Sequence, residues 1–237
     1  MNKPKIEPIF PPITPDDIEL DEKNGLETIN SEFKAGFDFI KKYDRSVSFF
    51  GSSRFTEEDE HCKDAYELAK KIVKELDYAV VTGGGPGIMQ AANHGAYDAK
   101  GRSLGLTINL PREQLSNHYL TDKVGFHYFF IRKTLLTFAA EAFVFYPGGF
   151  GTLDEFFGIA TLVQTNKIPK VPLILVGRDF WEPLDHFIKK SMLETHHSID
   201  AIDRDLYAIS DSHSDIIDLI RKTPVLNWWK NYEQTNL

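Results

Sequence analysis

The residues best suited to chemistry in this chain form one nine-residue string, Pro147-Gly148-Gly149-Phe150-Gly151-Thr152-Leu153-Asp154-Glu155. A glycine-rich turn lets backbone N–H groups approach an anion without obstruction by Cβ atoms, and it tolerates any positive φ the turn needs. A helix starting there adds the positive end of its dipole. Thr152, at the expected helix start, can add a hydroxyl, and Glu155 projects from the first turn. A second turn, Thr82-Gly83-Gly84-Gly85-Pro86-Gly87, and a third, Gly51-Ser52-Ser53-Arg54, each follow an apolar run. Neither of the two larger turns carries the Gly-Lys-Ser or Gly-Lys-Thr of an ATP-hydrolysing loop. The 83–87 run is also misplaced for a dinucleotide fingerprint: it follows the second strand, and no acidic residue closes a clean third one. Either loop alone could be a tight turn. Two on one sheet edge, one followed by a carboxylate, point to a phosphate-bearing ligand. They do not select a reaction.

Those turns need strands and helices to carry them. Residues 46–50, 78–81, 103–108, 142–146 and 171–176 read as five short strands, with 206–209 a possible last one. Helical patterns occupy 57–76, 88–100, 129–140, 152–166, 181–193 and 214–221. This alternation predicts an α/β fold, a doubly wound Rossmann-like parallel sheet with helices on both faces. In such sheets ligands bind beyond the carboxyl ends of the strands, the edge on which all three turns fall. Residues 1–15 hold five prolines and read as irregular or extended. From Asp16 onward Ile18, Leu26, Ile29, Phe33, Phe37 and Ile40 recur among charged neighbours as in a helix, with Gly25 a point of interruption. The expected division is an N-terminal arm and helix over 1–45 and a ligand-binding catalytic domain over 46–237.

Composition narrows the partners. A formal charge of −8 argues against a general nucleic-acid binder, which relies on clustered Lys and Arg. No stretch approaches the roughly 20 apolar residues of a membrane span. The charged, proline-rich first residues cannot be the apolar core of a secretory signal. Cys62 is the single cysteine, so an intrachain disulfide and a multi-cysteine metal site are excluded, and a cytoplasmic location is expected. His196 and His197 are adjacent, hence about 100° apart on a helix, and no Glu-linked His-x-x-x-His spacing accompanies them. No metal and no cofactor are expected.

The string 147–155 resembles the Pro-Gly-Gly-x-Gly-Thr-x-x-Glu signature of the LONELY GUY (LOG) family, cytokinin riboside 5′-monophosphate phosphoribohydrolases often labelled lysine decarboxylases. Arg132-Lys133 is similar to that family's Arg-Lys pair, and Gly83-Gly84-Gly85-Pro86-Gly87-Ile88-Met89 to its second glycine motif. The resemblance runs from about Val47 to Trp181, and the lengthened N-terminus with Phe126–Lys133 looks like the longer bacterial members. It implies Glu155 and Arg132 as catalytic pair and Gly148, Gly149, Gly151 and Thr152 as phosphate loop. It further implies a nucleotide pocket at Ser52, Ser53, Gly84, Gly85, Met89 and Lys133, and a homo-oligomer. Gln90 follows Met89 where many relatives carry Glu or Gly, which leaves plain AMP and N6-modified AMP equally open as substrates.

Cleaving an N-glycosidic bond builds positive charge on the ribose, which a carboxylate beneath the ring would stabilise. Glu155 is the candidate, while Asp154 points elsewhere on the helix. Arg132 could pair with Glu155 and keep it ionised, or bind ribose or phosphate. Lys133 reads as peripheral, and His127 as a core or interface residue one turn before Arg132. Two competitors stand beside the hydrolase: a non-catalytic nucleotide sensor or carrier, and a pyridoxal-phosphate decarboxylase. The latter needs a Schiff-base lysine that nothing in the sequence marks.

Overall fold

The computed structural model describes residues 15–109 and 116–223, so most of the expected proline-rich arm lies outside the described residues. Its strands are β1 (Ser46–Phe50), β2 (Ala79–Thr82), β3 (Ser103–Ile108), β4 (Asp122–Phe126), β5 (Ala142–Phe145), β6 (Leu173–Leu175) and β7 (Ala208–Ile209). The helices are α1 (Pro15–Ile40), α2 (Glu60–Leu76), α3 (Ile88–Asp98), α4 (Phe129–Phe138), α5 (Phe150–Gln164), α6 (Arg178–Phe187) and α7 (His213–Lys222). The strands form one sheet ordered β4-β3-β2-β1-β5-β6-β7, with each neighbouring pair parallel.

Successive residues of a strand point to opposite faces, so strands buried on both sides must be apolar throughout. Val47 and Phe49 of β1, with Ala142 and Val144 of β5, pack against Leu68 and Ile72 of α2, Ile88 of α3 and Ile216 of α7. On the other face Phe50, Phe143 and Phe145 meet Ile131 and Leu135 of α4, Phe156 of α5, Trp181 of α6 and Phe39 of α1. The sheet is thus covered on both sides, as a Rossmann-like fold requires. Strand order reverses at β1: β2, β3 and β4 lie to one side of it, β5, β6 and β7 to the other. The turns leaving β1 and β5 therefore diverge toward opposite faces and open a crevice between them. Among the described residues, no helix is long and apolar enough to cross a membrane.

Three local expectations are corrected. Strand β4 was not foreseen, and 142–146 accordingly marks the fifth strand. With Asp122, Lys123 and Gly125 it lacks a β-rich composition, and as an edge strand it pairs with β3 alone. Gly25 does not interrupt α1, which runs through it. One helical glycine costs only about 1 kcal/mol, which the packing of Phe33, Phe37, Phe39 and Ile40 outweighs. Helix α5 starts at Phe150 with Gly149 as N-cap, two residues before the expected start, so Glu155 stands in its second turn.

The loop after β2 is pinned by a buried amide network. Thr82 Oγ1 donates to Asn93 Oδ1 at 2.6 Å, and Asn93 Nδ2 donates to Ser103 Oγ at 2.9 Å. Asn117 Nδ2 donates to Asn93 Oδ1 and to the Gly85 carbonyl, while its backbone N–H donates to the Gly84 carbonyl. Asn93→Ala strips partners from Ser103 and Asn117 at once. It is expected to lower the unfolding free energy by about 2–3 kcal/mol in urea titration. A loss below about 0.5 kcal/mol, the range of ordinary surface changes, would contradict this account of the loop.

Candidate active site

A cleft of about 870 Å³ opens at the crevice between β1 and β5. Its lining draws on the β1 turn (Gly51, Ser52, Ser53, Arg54), on Gly83 and Met89, on the exposed start of α4 and on the first turns of α5. The fold therefore brings Ser52, Ser53, Met89, Arg132, Lys133, Gly149, Gly151, Thr152 and Glu155 to one cavity. It does not bring Gly84 and Gly85 there. Both are buried behind the lining with their carbonyls held by Asn117, and Gly83 lines the cleft instead. His127 lies outside the lining, exposed, with its backbone N–H bound to Glu32. Gln90 is also outside it, and its side-chain amide donates to Glu57 at 2.9 Å.

The three glycines of the 147–152 turn serve different needs. A Cβ on Gly148 would collide with the Thr152 hydroxyl, so this glycine seats Thr152. Gly149 and Gly151 have no atom within 4 Å of where a Cβ would stand, and neither has a positive φ. The anticipated positive angles occur instead at Gly84, Gly87 and Gly177. What glycine provides at 149 and 151 is free space before the backbone N–H groups. Helix α5 has no side-chain cap, so its first N–H groups are unclaimed by any Ser, Asp or Asn. A helix N-terminus so exposed has the donors and the dipole that suit an anion. Its position is fixed from β1, since Ser52 N–H donates to the Pro147 carbonyl at 3.0 Å.

Thr152 and Glu155 are three residues apart on α5, hence on one helix face, and both are buried. Burial pushes the Glu155 carboxyl up to about 7; the charges of Lys133 and Arg132 oppose this without cancelling it, and Asp154 adds to it. Arg132 is half-buried, and burial pulls its guanidinium below the ordinary arginine value while Glu155 opposes the shift. The expected pairing of the two does not form. Arg132 lies over the Phe129 ring, 5.4 Å from its centroid, and Glu155 is left half-protonated near neutrality rather than held ionised. Among the described residues, three buried side-chain polar atoms lack a hydrogen-bond partner: Arg132 Nε, Glu155 Oε2 and Arg204 Nε. Two of these are in the cleft, where unmet polar capacity marks a place for ligand atoms. Lys133 is engaged, its ammonium 2.7 Å from the Asp154 carboxylate.

Sequence reasoning missed Arg54, which lines the cleft and forms no ion pair among the described residues. Its place directly after Ser52-Ser53 was the available signal. It also missed the apolar wall of Phe50, Ile108, Phe129, Phe130 and Leu136, for which the sequence offered a core reading or, over 126–130, a subunit interface. No group of three or more His, Cys, Asp or Glu that could hold a metal occurs among the described residues.

Sheet order and switch-point cleft together define a Rossmann-like α/β protein. Comparison with known proteins takes the assignment one step further. The family model described as “Possible lysine decarboxylase” matches residues 89–220, and the chain belongs to this family, the LOG family. The match includes Met89, Arg132, Lys133 and the 147–155 string, and it begins after Ser52, Ser53, Gly84 and Gly85. A cytokinin riboside 5′-monophosphate phosphoribohydrolase LOG from Oryza sativa subsp. japonica is 30% identical over 145 residues, 58% of this chain and 57% of that protein. A protein from Rhodococcoides fascians, also described as a cytokinin riboside 5′-monophosphate phosphoribohydrolase, is 26% identical over 132 residues, 54% of this chain and 65% of its own. These matches thus span less than two thirds of either relative. Among solved structures, the molybdenum cofactor carrier protein of Chlamydomonas reinhardtii superposes with a TM-score of 0.56 at 18% identity, covering 76% of this chain and 98% of that one. That likeness concerns the fold.

Two outcomes follow from this geometry. Gly151→Ala, inside the first turn of α5, should leave thermal stability unchanged or raised by up to about 1 kcal/mol, yet weaken phosphate binding in calorimetry. Stability lost at this position would show that the glycine serves the fold. For Glu155, a folded-state pKa raised to about 7 means that its contribution to stability declines as pH rises from the ordinary glutamate range through about 7. Glu155→Gln should therefore gain Tm relative to the wild type as pH is raised across that window, and equal Tm differences at pH 5 and pH 8 would contradict the shift.

Proposed function

We propose that the protein is a nucleoside 5′-monophosphate phosphoribohydrolase, which hydrolyses the N-glycosidic bond of AMP or N6-modified AMP to the free base and ribose 5-phosphate. The observation that carries this reading is Glu155: a buried carboxylate with a free oxygen, on the same face of α5 as Thr152 and one turn beyond an uncapped helix start. The 5′-phosphate binds at the N–H groups of the 149–152 turn with the Thr152 hydroxyl. That anchor sets the ribose over Glu155. As C1′–N cleavage builds positive charge on the sugar, the carboxylate stabilises it. With a pKa of about 7, Glu155 also suits the removal of a proton from the attacking water. Oxygen from the water bonds to C1′, and the C1′–N electron pair leaves with the base, which takes up a proton. Arg132, with an unused Nε, serves the ribose hydroxyls or the phosphate, and Arg54 adds a second guanidinium for the anion. Met89, Phe129, Phe130 and Leu136 offer the base an apolar surface.

The reading extends to a cytoplasmic homo-oligomer, supported by Phe129, Phe130 and Phe150, which are 59%, 51% and 93% exposed around the cleft. A decarboxylase using pyridoxal phosphate finds no support in this cleft. Its one lysine among the described residues, Lys133, is paired with the Asp154 carboxylate at 2.7 Å, whereas Schiff-base chemistry needs a free amine. The carrier reading retains one supporting observation, the fold shared with the molybdenum cofactor carrier.

AMP incubated with the purified protein, without added metal, should yield adenine and ribose 5-phosphate on chromatography; AMP bound but left intact would favour the carrier. Glu155→Gln should keep AMP affinity and lose about 10²- to 10⁴-fold in kcat. Because Glu155 acts ionised, kcat/KM should rise with pH to a plateau, with its midpoint at about 7. A rate that falls through that range would assign Glu155 the opposite, acid, role.

A further inference from the structure

Helix α4 begins without a cap of its own: the side chain of its N-cap residue, Tyr128, makes no capping bond, and its first turn has no acidic residue. The cap comes from 95 residues away. Glu32 Oε1 accepts the backbone N–H of His127 at 2.5 Å, and Glu32 Oε2 accepts that of Tyr128 at 3.3 Å. One carboxylate thereby holds two consecutive peptide units at the point where α4 starts. The first backbone bond of the helix then runs from Arg132 N–H to the Tyr128 carbonyl. Arg132 hangs directly from the residue that Glu32 holds.

Two further contacts bring α1 and α4 together on either side of Arg132. A Cβ on Gly36, one turn along α1 from Glu32, would collide with Leu135, so the two helices approach at glycine distance. Phe33 meets Phe130 with ring centroids 6.4 Å apart. The guanidinium itself has few restraints. It forms no ion pair among the described residues, its Nε has no partner, and the ring it covers, Phe129, belongs to the same helical turn. Its direction is therefore inherited from the backbone of the first turn of α4.

We propose that Glu32 is a positioning residue for Arg132, fixing the start of α4 so that the guanidinium is delivered into the cleft beside Glu155. This gives α1, which precedes the matched family segment, a role in the site without contact to substrate. The inference rests on the phosphoribohydrolase reading for what Arg132 does to substrate, and on contacts within the chain for everything else.

The test compares Glu32→Ala and Glu32→Gln with the wild type in four measurements: kcat and KM on AMP across pH, ribose 5-phosphate affinity by calorimetry, Tm, and the Glu155 titration by carboxyl ¹³C NMR. The Glu155→Gln variant assigns the NMR signal. Charged groups acting on Glu155 are Lys133 and Arg132 from α4 and Asp154 from α5. Lys133 is retained by Asp154, so displacement of Arg132 is the change the titration reads. Glu32→Ala should lower kcat/KM on AMP by about tenfold or more and weaken ribose 5-phosphate binding with it, because Arg132 serves the ribose or the phosphate. The Glu155 midpoint should move upward, because a cation that lowers it has withdrawn. Glu32→Gln, whose amide oxygen still accepts one N–H, should recover part of both effects. A folded Glu32→Ala protein with unchanged kcat/KM and an unchanged Glu155 midpoint overturns the proposal. A fall in activity and ribose 5-phosphate affinity that tracks a fall in Tm, with the Glu155 midpoint unchanged, also overturns it, since that is the signature of general loosening. If the wild type leaves AMP intact, the reaction reading fails on its own and the Glu155 titration decides the role of Glu32.

Discussion

The structure is organised around a carboxylate placed where water reaches it poorly. Glu155 is 8% exposed, and one of its oxygens has no hydrogen-bond partner. Burial raises its pKa more than the two neighbouring cations lower it. An unpaired buried carboxylate destabilises a fold, and neutral replacements at that position are readily imagined. The surrounding chain holds it there at several points. Phe156, next in sequence, packs into the core against Phe145 and Trp181, and Thr152 occupies the space that Gly148 leaves open. The carboxylate is carried by a rigid helix with core anchors, so it cannot easily turn toward solvent. A poorly solvated group on a rigid support is the arrangement expected of a proton-handling residue rather than a surface charge.

The same constraint explains why the remaining cleft groups come from separate parts of the chain. A parallel sheet delivers its loops to one edge, and strand order reverses at β1, so the turns after β1 and β5 face each other across a crevice. The β5 turn contributes bare N–H groups and the β1 turn contributes hydroxyls and Arg54. Arg132 arrives on α4, whose start depends on Glu32 of α1. None of these groups is near Glu155 by virtue of local sequence alone except Thr152 and Asp154.

Legibility in the sequence followed burial. Strands β1 and β3 were readable to the residue because their runs are apolar or small throughout, as two-sided burial demands. Strand β4 was not readable: an edge strand bearing Asp122 and Lys123 carries neither period nor composition. The placement of the 147–152 turn at a helix start was legible from glycine spacing. The division of labour inside it was not, since Gly148 answers to a side chain and Gly149 and Gly151 to open space, and all are one letter. Gly84 and Gly85 looked equivalent to those residues and prove to be buried backbone held by Asn117. Arg132 and Glu155 were singled out through a motif resemblance. That they share a cleft without an ion pair depends on three-dimensional packing, for which no spacing rule exists.

Overall charge was the least informative quantity about this cleft. The chain is formally −8, yet the residues lining the cavity include three cationic ones, Arg54, Arg132 and Lys133, against two acidic ones, Asp154 and Glu155. Lys133 and Asp154 neutralise each other, and Glu155 is only partly ionised near neutrality. Two guanidinium groups and the positive end of α5 are left to set the local potential. Screening confines the acidic exterior to about 8–10 Å in physiological salt, so the field inside the cleft is set by its own walls. An acidic protein can therefore hold a phosphate and still repel long polyanions, whose extended charge must also approach the exterior. On the proposed reading, selectivity for a small anion over a nucleic acid follows from where the charges stand, not from their sum.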